Sequence, residues 1–379
     1  MKFETSRNQA LKILENFIEN EISKYNLKRS FDLGPLDRSN VSCLSPYIAH
    51  RLITEYETVK RVLAKHPFQK VDKYVQEIFW RVYWKGWLEM RPKVWSDFVE
   101  DLKTIEEDTN YIKATKGETK IKCFNDWVKE LKEFNYLHNH TRMLFASIWI
   151  FTLGLPWQKG AEFFMKHLYD GDAASNTLSW RWVAGIQTKG KNYLAQSWNI
   201  SKFTNNKYKN VKLNETALPI IDKREYKISA VPIRKNEDSS DHLIIFENEM
   251  HFDFFDHEKY KKIHFVLLGN ENRSVQLSTK VMDYKKNVIK SRLNEIKRKA
   301  EFLDGNSFTN FSKNFKSFDV IYPSIGENFS FLKMLAKKDN LNINFITRKE
   351  DEFCWKFSNK GYFNFKSNIP LILSTFKLN

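Results

Sequence analysis

The sequence predicts a multi-domain protein, a mostly α-helical first part followed by a smaller α/β domain built on a parallel sheet. Three observations carry that expectation. Through the first part, apolar residues recur three and four positions apart, the period of a helix buried on one face. From about residue 240 the pattern shifts to short runs rich in Ile, Val and Phe, alternating with charged helical stretches, which argues for parallel strands joined by right-handed crossovers. A length of 379 residues at 42% hydrophobic content suffices for two or three domains with sizeable cores. The expected boundaries are 1–215 for the helical domain, 216–240 for a linker and 241–379 for the α/β domain.

Taken in order, Leu11, Leu14, Phe17, Ile18 and Ile22 set an opening amphipathic helix. A turn-rich passage follows, in which Ser39, Ser42 and Ser45 precede a helix expected near Pro46, with serine as its cap. Backbone N–H groups and hydroxyls at such a helix start suit an anion. Residues 71–95 place Glu77, Trp80, Arg81 and Trp84 at i, i+3, i+4 and i+7, so a charge pair and two indoles share one side of a helix. Residues 96–120, polar and rich in Lys and Gly, read as a surface loop, and 123–134 reads as a helix again.

The stretch from Tyr136 to Trp182 is the densest in chemistry. Asn139 and Arg142 share a helix face, with Met143 beside them. Asp170 and Asp172 flank Gly171, whose freedom at positive φ would let a turn aim both carboxylates inward. Buried acids of this kind call for an arginine or a polyol. After Trp182 a basic, glycine-containing segment reads as the lip of a pocket. In the last part HLIIFEN, KIHFVLLG, FDVIYPS and NINFITR are the expected strands of a Rossmann-like sheet, with helices over about 280–302 and 326–340. No glycine-rich nucleotide motif accompanies them.

A net charge of +16 argues for a polyanionic partner. The sequence contains no long uninterrupted apolar run, so no membrane span is expected, and the charged amphipathic N-terminus is unlike a signal peptide. The cytoplasm is the default compartment. Cys43, Cys123 and Cys354 show no metal-ligand spacing, so no metal site is expected. Aromatic residues make up 15% of the chain, with 11 tryptophans, which suits stacking surfaces or electron transfer as well as a plain core.

The run HNHTRM, then Trp157, DGDAASN and WRW, together with Tyr25 and Arg29, VSCLSPY and the Glu77–Trp80–Arg81 helix, resembles the flavin-binding catalytic core of the DNA photolyase and cryptochrome family. The resemblance covers about residues 20 to 200. It implies a helical FAD-binding core, with FAD held by Tyr25, Ser42, Leu44, Ser45, Arg81, Tyr136, Arg142, Asp170, Gly171, Asp172 and Asn176. It further implies a cyclobutane pyrimidine dimer bound by Glu77, Trp80, Asn139, Met143 and Trp182, since the six-four branch has a histidine where Met143 stands. Arg29, Trp80 and His140 would face DNA, and Trp180 and Trp157 would supply electrons. Ala114 stands near where the outermost electron-transfer tryptophan is usual, with Tyr111 close by.

The activity so implied is a deoxyribodipyrimidine photo-lyase, a light-driven carbon–carbon lyase acting on damaged DNA as a monomer. The alternative is a cryptochrome-like photoreceptor without repair, favoured by Val41 and Ala114, by His140 in place of a DNA-contacting arginine, and by an altered rim after Trp182. A third class is a structural nucleic-acid-binding protein with a vestigial cavity. The C-terminal domain is either a relocated antenna-type domain or an unrelated α/β appendage, and no antenna pigment can be assigned.

Overall fold

The computed structural model describes residues 3–230, 240–296 and 300–379. Part of the expected linker, 231–239, lies outside the described residues. The opening helix, Arg7–Asn20, is capped by Ser6, whose hydroxyl accepts from the Gln9 N–H at 3.1 Å, and it buries Ala10, Leu14, Phe17 and Ile18. The helix near Pro46 starts at Ser45 and runs to Ala49, with Leu44 in the cap position. Serine therefore does not cap it; Ser45 sits inside the first turn instead.

The stretch expected as a loop over 96–120 is largely helical. Lys93–Thr104 forms one helix and Thr109–Lys116 another. The second is short and polar, and it is fixed at both ends. Asp108 accepts from the Tyr111 N–H at 2.8 Å, and Gly117 closes it at φ 71°. A polar composition hid a helix that its caps define.

The axis of the helical part is Phe68–Glu89, 22 residues long. One side buries Val71, Tyr74, Val75, Ile78 and Val82, and the far end meets the C-terminal helices Lys349–Trp355 and Tyr362–Ser367. Gly86 makes that crossing possible. A Cβ there would lie 2.6 Å from Ser358 Oγ and 2.9 Å from Trp355 Cα, so any side chain would push the two backbones apart.

Five parallel strands form the second part: β1 (His242–Phe246), β2 (Lys262–Leu267), β3 (Ala300–Asp304), β4 (Ser317–Ile321) and β5 (Asn342–Ile346). Their order is β3-β2-β1-β4-β5, with Ile245 opposite Phe265 and Val320 opposite Phe345. The central strand β1 is buried along almost its whole length, as a parallel sheet covered on both faces requires. Strand β3 corrects the expected helix over 280–302, which ends at Glu295. As an edge strand with only partly buried side chains, its sequence AEFLD lacks the β-branched run that marked the other four.

The two parts share one hydrophobic core. Buried charges join them as well. Arg51, from the loop after the Ser45–Ala49 helix, donates to both carboxylate oxygens of Asp351 at 2.6 and 3.1 Å, and Tyr56 donates to Asp351 at 3.0 Å. Glu89 accepts from the Tyr322 hydroxyl at 2.6 Å and the Ile325 N–H at 2.8 Å. Among the described residues no helix is long and apolar enough to cross a membrane.

Candidate functional site

The helix Ala173–Val183 forms the floor of the site. Asp172 caps it, accepting from the Ser175 N–H at 2.8 Å, and its other oxygen accepts from Arg81 Nη2 at 2.9 Å. Burial works to raise the Asp172 pKa, but Arg81, Lys85 and the Ser175 N–H outweigh it and hold the carboxyl below its usual range. One residue pair away, Arg142 Nη2 reaches Asp170 Oδ2 at 2.9 Å, while its Nε donates to the Leu137 carbonyl at 2.9 Å. Both arginines are thus fixed by a carboxylate, with their remaining N–H groups available to an anion or a polar ring.

Above this floor lies a cavity of about 430 Å³. Its wall includes Ser42, Leu44, Ser45, Arg81, Tyr136, Arg142, Asp170, Gly171, Asn176 and Trp180. Continuous with them are Tyr25, Arg29, Glu77, Trp80, Asn139, Met143 and Trp182. The chain approaches the serines through Cys43 at φ 52°, a conformation that costs a non-glycine residue roughly 1–3 kcal/mol and that gathers at ligand sites.

Three of the residues singled out in the sequence are placed elsewhere. Asp172 stands behind the wall, orienting Arg81. Trp157 stacks on Phe98 with centroids 5.7 Å apart and lies 5.8 Å from the Arg181 guanidinium. His140 has both ring nitrogens engaged, Nδ1 with the Ser30 carbonyl at 2.9 Å and Nε2 with the Tyr193 hydroxyl at 3.2 Å. Burial lowers its pKa, so its ring is neutral near pH 7 and offers no charge to a phosphate.

Gly171 also differs from expectation, since it is not among the glycines at positive φ. Its value is space: a Cβ there would sit 3.3 Å from Met165 Cα, tighter than ordinary packing. Consequently the turn aims only Asp170 at the cavity. At the other end, Glu77 is held by the Tyr25 hydroxyl and the Arg29 guanidinium. Burial and the Glu77 carboxylate together push the Tyr25 phenol well above its usual range, so it remains the donor.

Two contributors were not singled out in the sequence. Tyr362, from the C-terminal segment, stacks on Trp80 with centroids 3.5 Å apart, and its hydroxyl donates to the Gln76 carbonyl at 2.6 Å. Gly160 lies under Trp180, where a Cβ would come within 2.3 Å of the indole. The only sequence signal for it is a glycine inside a helix, Trp157–His167, that could have spared it.

The cavity fits a flavin dinucleotide on its own chemistry. Among the described residues the Asp170 oxygens have an ion-pair partner but no directed hydrogen bond, and the Trp180 Nε1–H has no acceptor. Asn176 donates its amide N–H to the Ala161 carbonyl at 2.8 Å, which leaves its oxygen as an acceptor. Such unspent groups, set among indoles and two fixed arginines, define a binding site for a large, flat, partly anionic cofactor. Residues 74–262 match the family described as the FAD binding domain of DNA photolyase.

The chain is 29% identical over 189 residues to a deoxyribodipyrimidine photo-lyase of Buchnera aphidicola, covering 48% of this chain and 39% of that protein. It is 33% identical over 149 residues to one of Streptomyces griseus, covering 39% and 32%. A crystal structure of a bacterial class III photolyase from Agrobacterium tumefaciens is similar at 26% identity and a TM-score of 0.46, covering 52% of this chain and 42% of that one. The matched region spans only about a third to two fifths of the length of these relatives. The protein is thus a FAD-binding flavoprotein, and it belongs to the DNA photolyase/cryptochrome family.

Proposed function

We propose that this protein repairs cyclobutane pyrimidine dimers in DNA under blue light. The observation that carries this is one continuous cavity holding two kinds of wall: a polar inner end with Arg81, Arg142, Asp170 and Asn176, and an outer end with Glu77, Trp80, Asn139, Met143 and Trp182. FAD, bound reduced at the inner end, supplies the photochemistry, an electron lent to the dimer and taken back after the ring opens. The chain's residues bind and orient. Trp80, backed by Tyr362, and Trp182, stacked on Tyr193 at 5.7 Å, present flat faces to a flipped dinucleotide.

Glu77 is fixed as a carboxylate acceptor for a base N–H, and Asn139 offers an amide to a carbonyl. Met143, on the cavity wall, offers the flipped dinucleotide an apolar contact and no proton donor. The basic surface engages backbone phosphates with the salt dependence that counterion release imposes. The Asn176 amide N–H is spent on the Ala161 carbonyl, so its oxygen would be the group offered to a polar edge of the bound flavin.

A second reading, a photoreceptor without repair, is favoured by His140, which is neutral and fully engaged inside the protein. Blue irradiation of the reduced, FAD-loaded protein with a dimer-containing oligonucleotide separates the two. Light-dependent loss of the dimer is expected. A photoactive flavin with every dimer intact would favour the photoreceptor.

A further inference from the structure

We propose that a lysine-lined cleft remote from the flavin cavity is a second nucleic-acid site, one that holds the backbone of a single unpaired strand whatever its sequence or damage. The cleft has a volume of about 900 Å³ and is walled by parts of the segments 110–123, 152–153 and 207–212. Six of its 16 lining residues are lysines: Lys113, Lys120, Lys122, Lys207, Lys209 and Lys212. The whole chain carries 62 lysines and arginines in 379 residues, so basic residues are concentrated here more than twofold.

That charge is largely uncompensated. All six lysines are exposed, and Glu118 is the one carboxylate lining the cleft. Lys122 pairs with Asp126 at 2.8 Å; among the described residues the other five form no ion pair. Like charges so gathered repel one another, yet the bonds that fix the walls leave those five free. Asn125 locks the turn before its helix, with Oδ1 accepting from the Thr119 N–H at 2.9 Å and its amide donating to the Thr119 carbonyl at 2.7 Å. Tyr208 donates to Asp126 at 3.0 Å and sets its ring edge-on to Trp127. Asn214 ties the third wall to the second, its N–H donating to Thr152 Oγ1 at 3.2 Å. A fixed cleft of unpaired ammonium groups is complementary to a polyanion. No arginine lines it, so it offers point charges rather than bidentate forks, which suits phosphates bound in no fixed register.

Trp198 narrows the class of polyanion. It belongs to the helix Ser197–Phe203, whose Ser197 hydroxyl accepts from the Val211 N–H of the cleft wall at 2.9 Å, and it is 59% exposed. An indole left uncovered beside a basic cleft provides a face on which an unpaired base stacks, whereas a duplex keeps its base faces covered.

Cleft and cavity lie at opposite ends of two helices. Lys122–Phe134 starts at the cleft and ends just before Tyr136 of the cavity wall, while Asn139–Ser147 and the turn after it run back from that wall to Thr152. A helix of 13 residues rises about 20 Å, so a strand in the cleft leaves the cavity free. Binding there needs neither a dimer nor light, and a failure of dimer repair would leave it intact.

Fluorescence anisotropy of a labelled, undamaged oligothymidylate against the FAD-loaded protein reads this site, with flavin absorbance and circular dichroism as checks on folding. The strand is expected to bind, and to bind equally well in Trp80→Ala, whose change lies in the cavity. Lys120→Ala, Lys209→Ala and Lys212→Ala combined should weaken it roughly tenfold or more and make the log–log salt dependence shallower by about 2, since each phosphate contact of a single strand contributes about 0.7. Trp198→Ala should weaken the strand roughly tenfold and leave the binding of inorganic polyphosphate unchanged. An unaltered Kd in the folded triple variant, or binding lost in Trp80→Ala, overturns the site. An oligonucleotide indifferent to Trp198→Ala, or a polyphosphate or acidic peptide that takes the cleft where the oligonucleotide does not, overturns its assignment to a nucleic-acid strand.

Discussion

Tyr362 lies flat against Trp80, with centroids 3.5 Å apart and ring planes 12° from parallel. The indole assigned to the DNA lesion is therefore positioned by a residue almost three hundred positions further along the chain. Tyr362 is absent from the cavity wall, so it acts from behind. Tyr362→Ala should weaken binding of dimer-containing DNA by about 1 kcal/mol, the usual worth of an aromatic pair beyond its buried area, and leave flavin absorbance unchanged. Titration of a labelled oligonucleotide against both proteins measures this.

Asn176→Asp places a carboxylate where a neutral amide now lies, 8% exposed and on the cavity wall. A negative charge there disfavours an anionic reduced flavin. A tenfold bias would lower the one-electron potential by about 60 mV. Spectroelectrochemical titration of the two proteins reads it directly, and equal potentials would remove Asn176 from the flavin's neighbourhood.

Glu89 supplies a pH dependence. Burial pushes its pKa up to about 7, against the Tyr322 hydroxyl and the Ile325 N–H, which pull it down. The folded protein therefore holds a proton that the unfolded chain releases at about pH 4.3. Stability from this group is complete below that value and is lost as pH rises toward 7, a decline of roughly 3 kcal/mol. Urea unfolding at pH 5 and pH 8 should show a smaller difference between the two pH values in Glu89→Gln than in the unaltered protein.

Asp351 is 3% exposed and faces Arg51, with Glu249 3.6 Å and Glu55 3.8 Å from the same guanidinium. Removing Asp351 takes from the buried Arg51 the carboxylate it hydrogen-bonds and leaves only the longer ion pairs, so Asp351→Ala should cost about 3 kcal/mol. The double variant Arg51→Met with Asp351→Leu should cost at least as much, because it also takes the guanidinium from the buried Glu55 and Glu249, as thermal unfolding of each would reveal.

Most of the site could be seen in the sequence because its parts are local. Glu77, Trp80 and Arg81 share a helix face, and Asn139, Arg142 and Met143 share another, so helical spacing alone groups them. What stayed hidden depends on tertiary contact. Nothing near Gly86, Gly160 or Tyr362 says which backbone or ring will arrive there, since their partners come from distant segments. Strand β3 escaped for a related reason: an edge strand buries only part of its side chains, so it carries little of the apolar signal that marks a central one.

The contact of Arg51 with Asp351 spans 300 positions. During synthesis on the ribosome, Arg51 emerges long before the Asp351 carboxylate it donates to, and Gly86 waits almost as long for Trp355. Domains that finish early usually fold as the chain appears. Here the helical half lacks contacts of its interior until the helices Lys349–Trp355 and Tyr362–Ser367 have been made, so the nascent chain keeps an incomplete, charged and partly apolar core until those residues emerge. Closure of that core is set by its slow, long-range contacts rather than by the local helices that define the cavity.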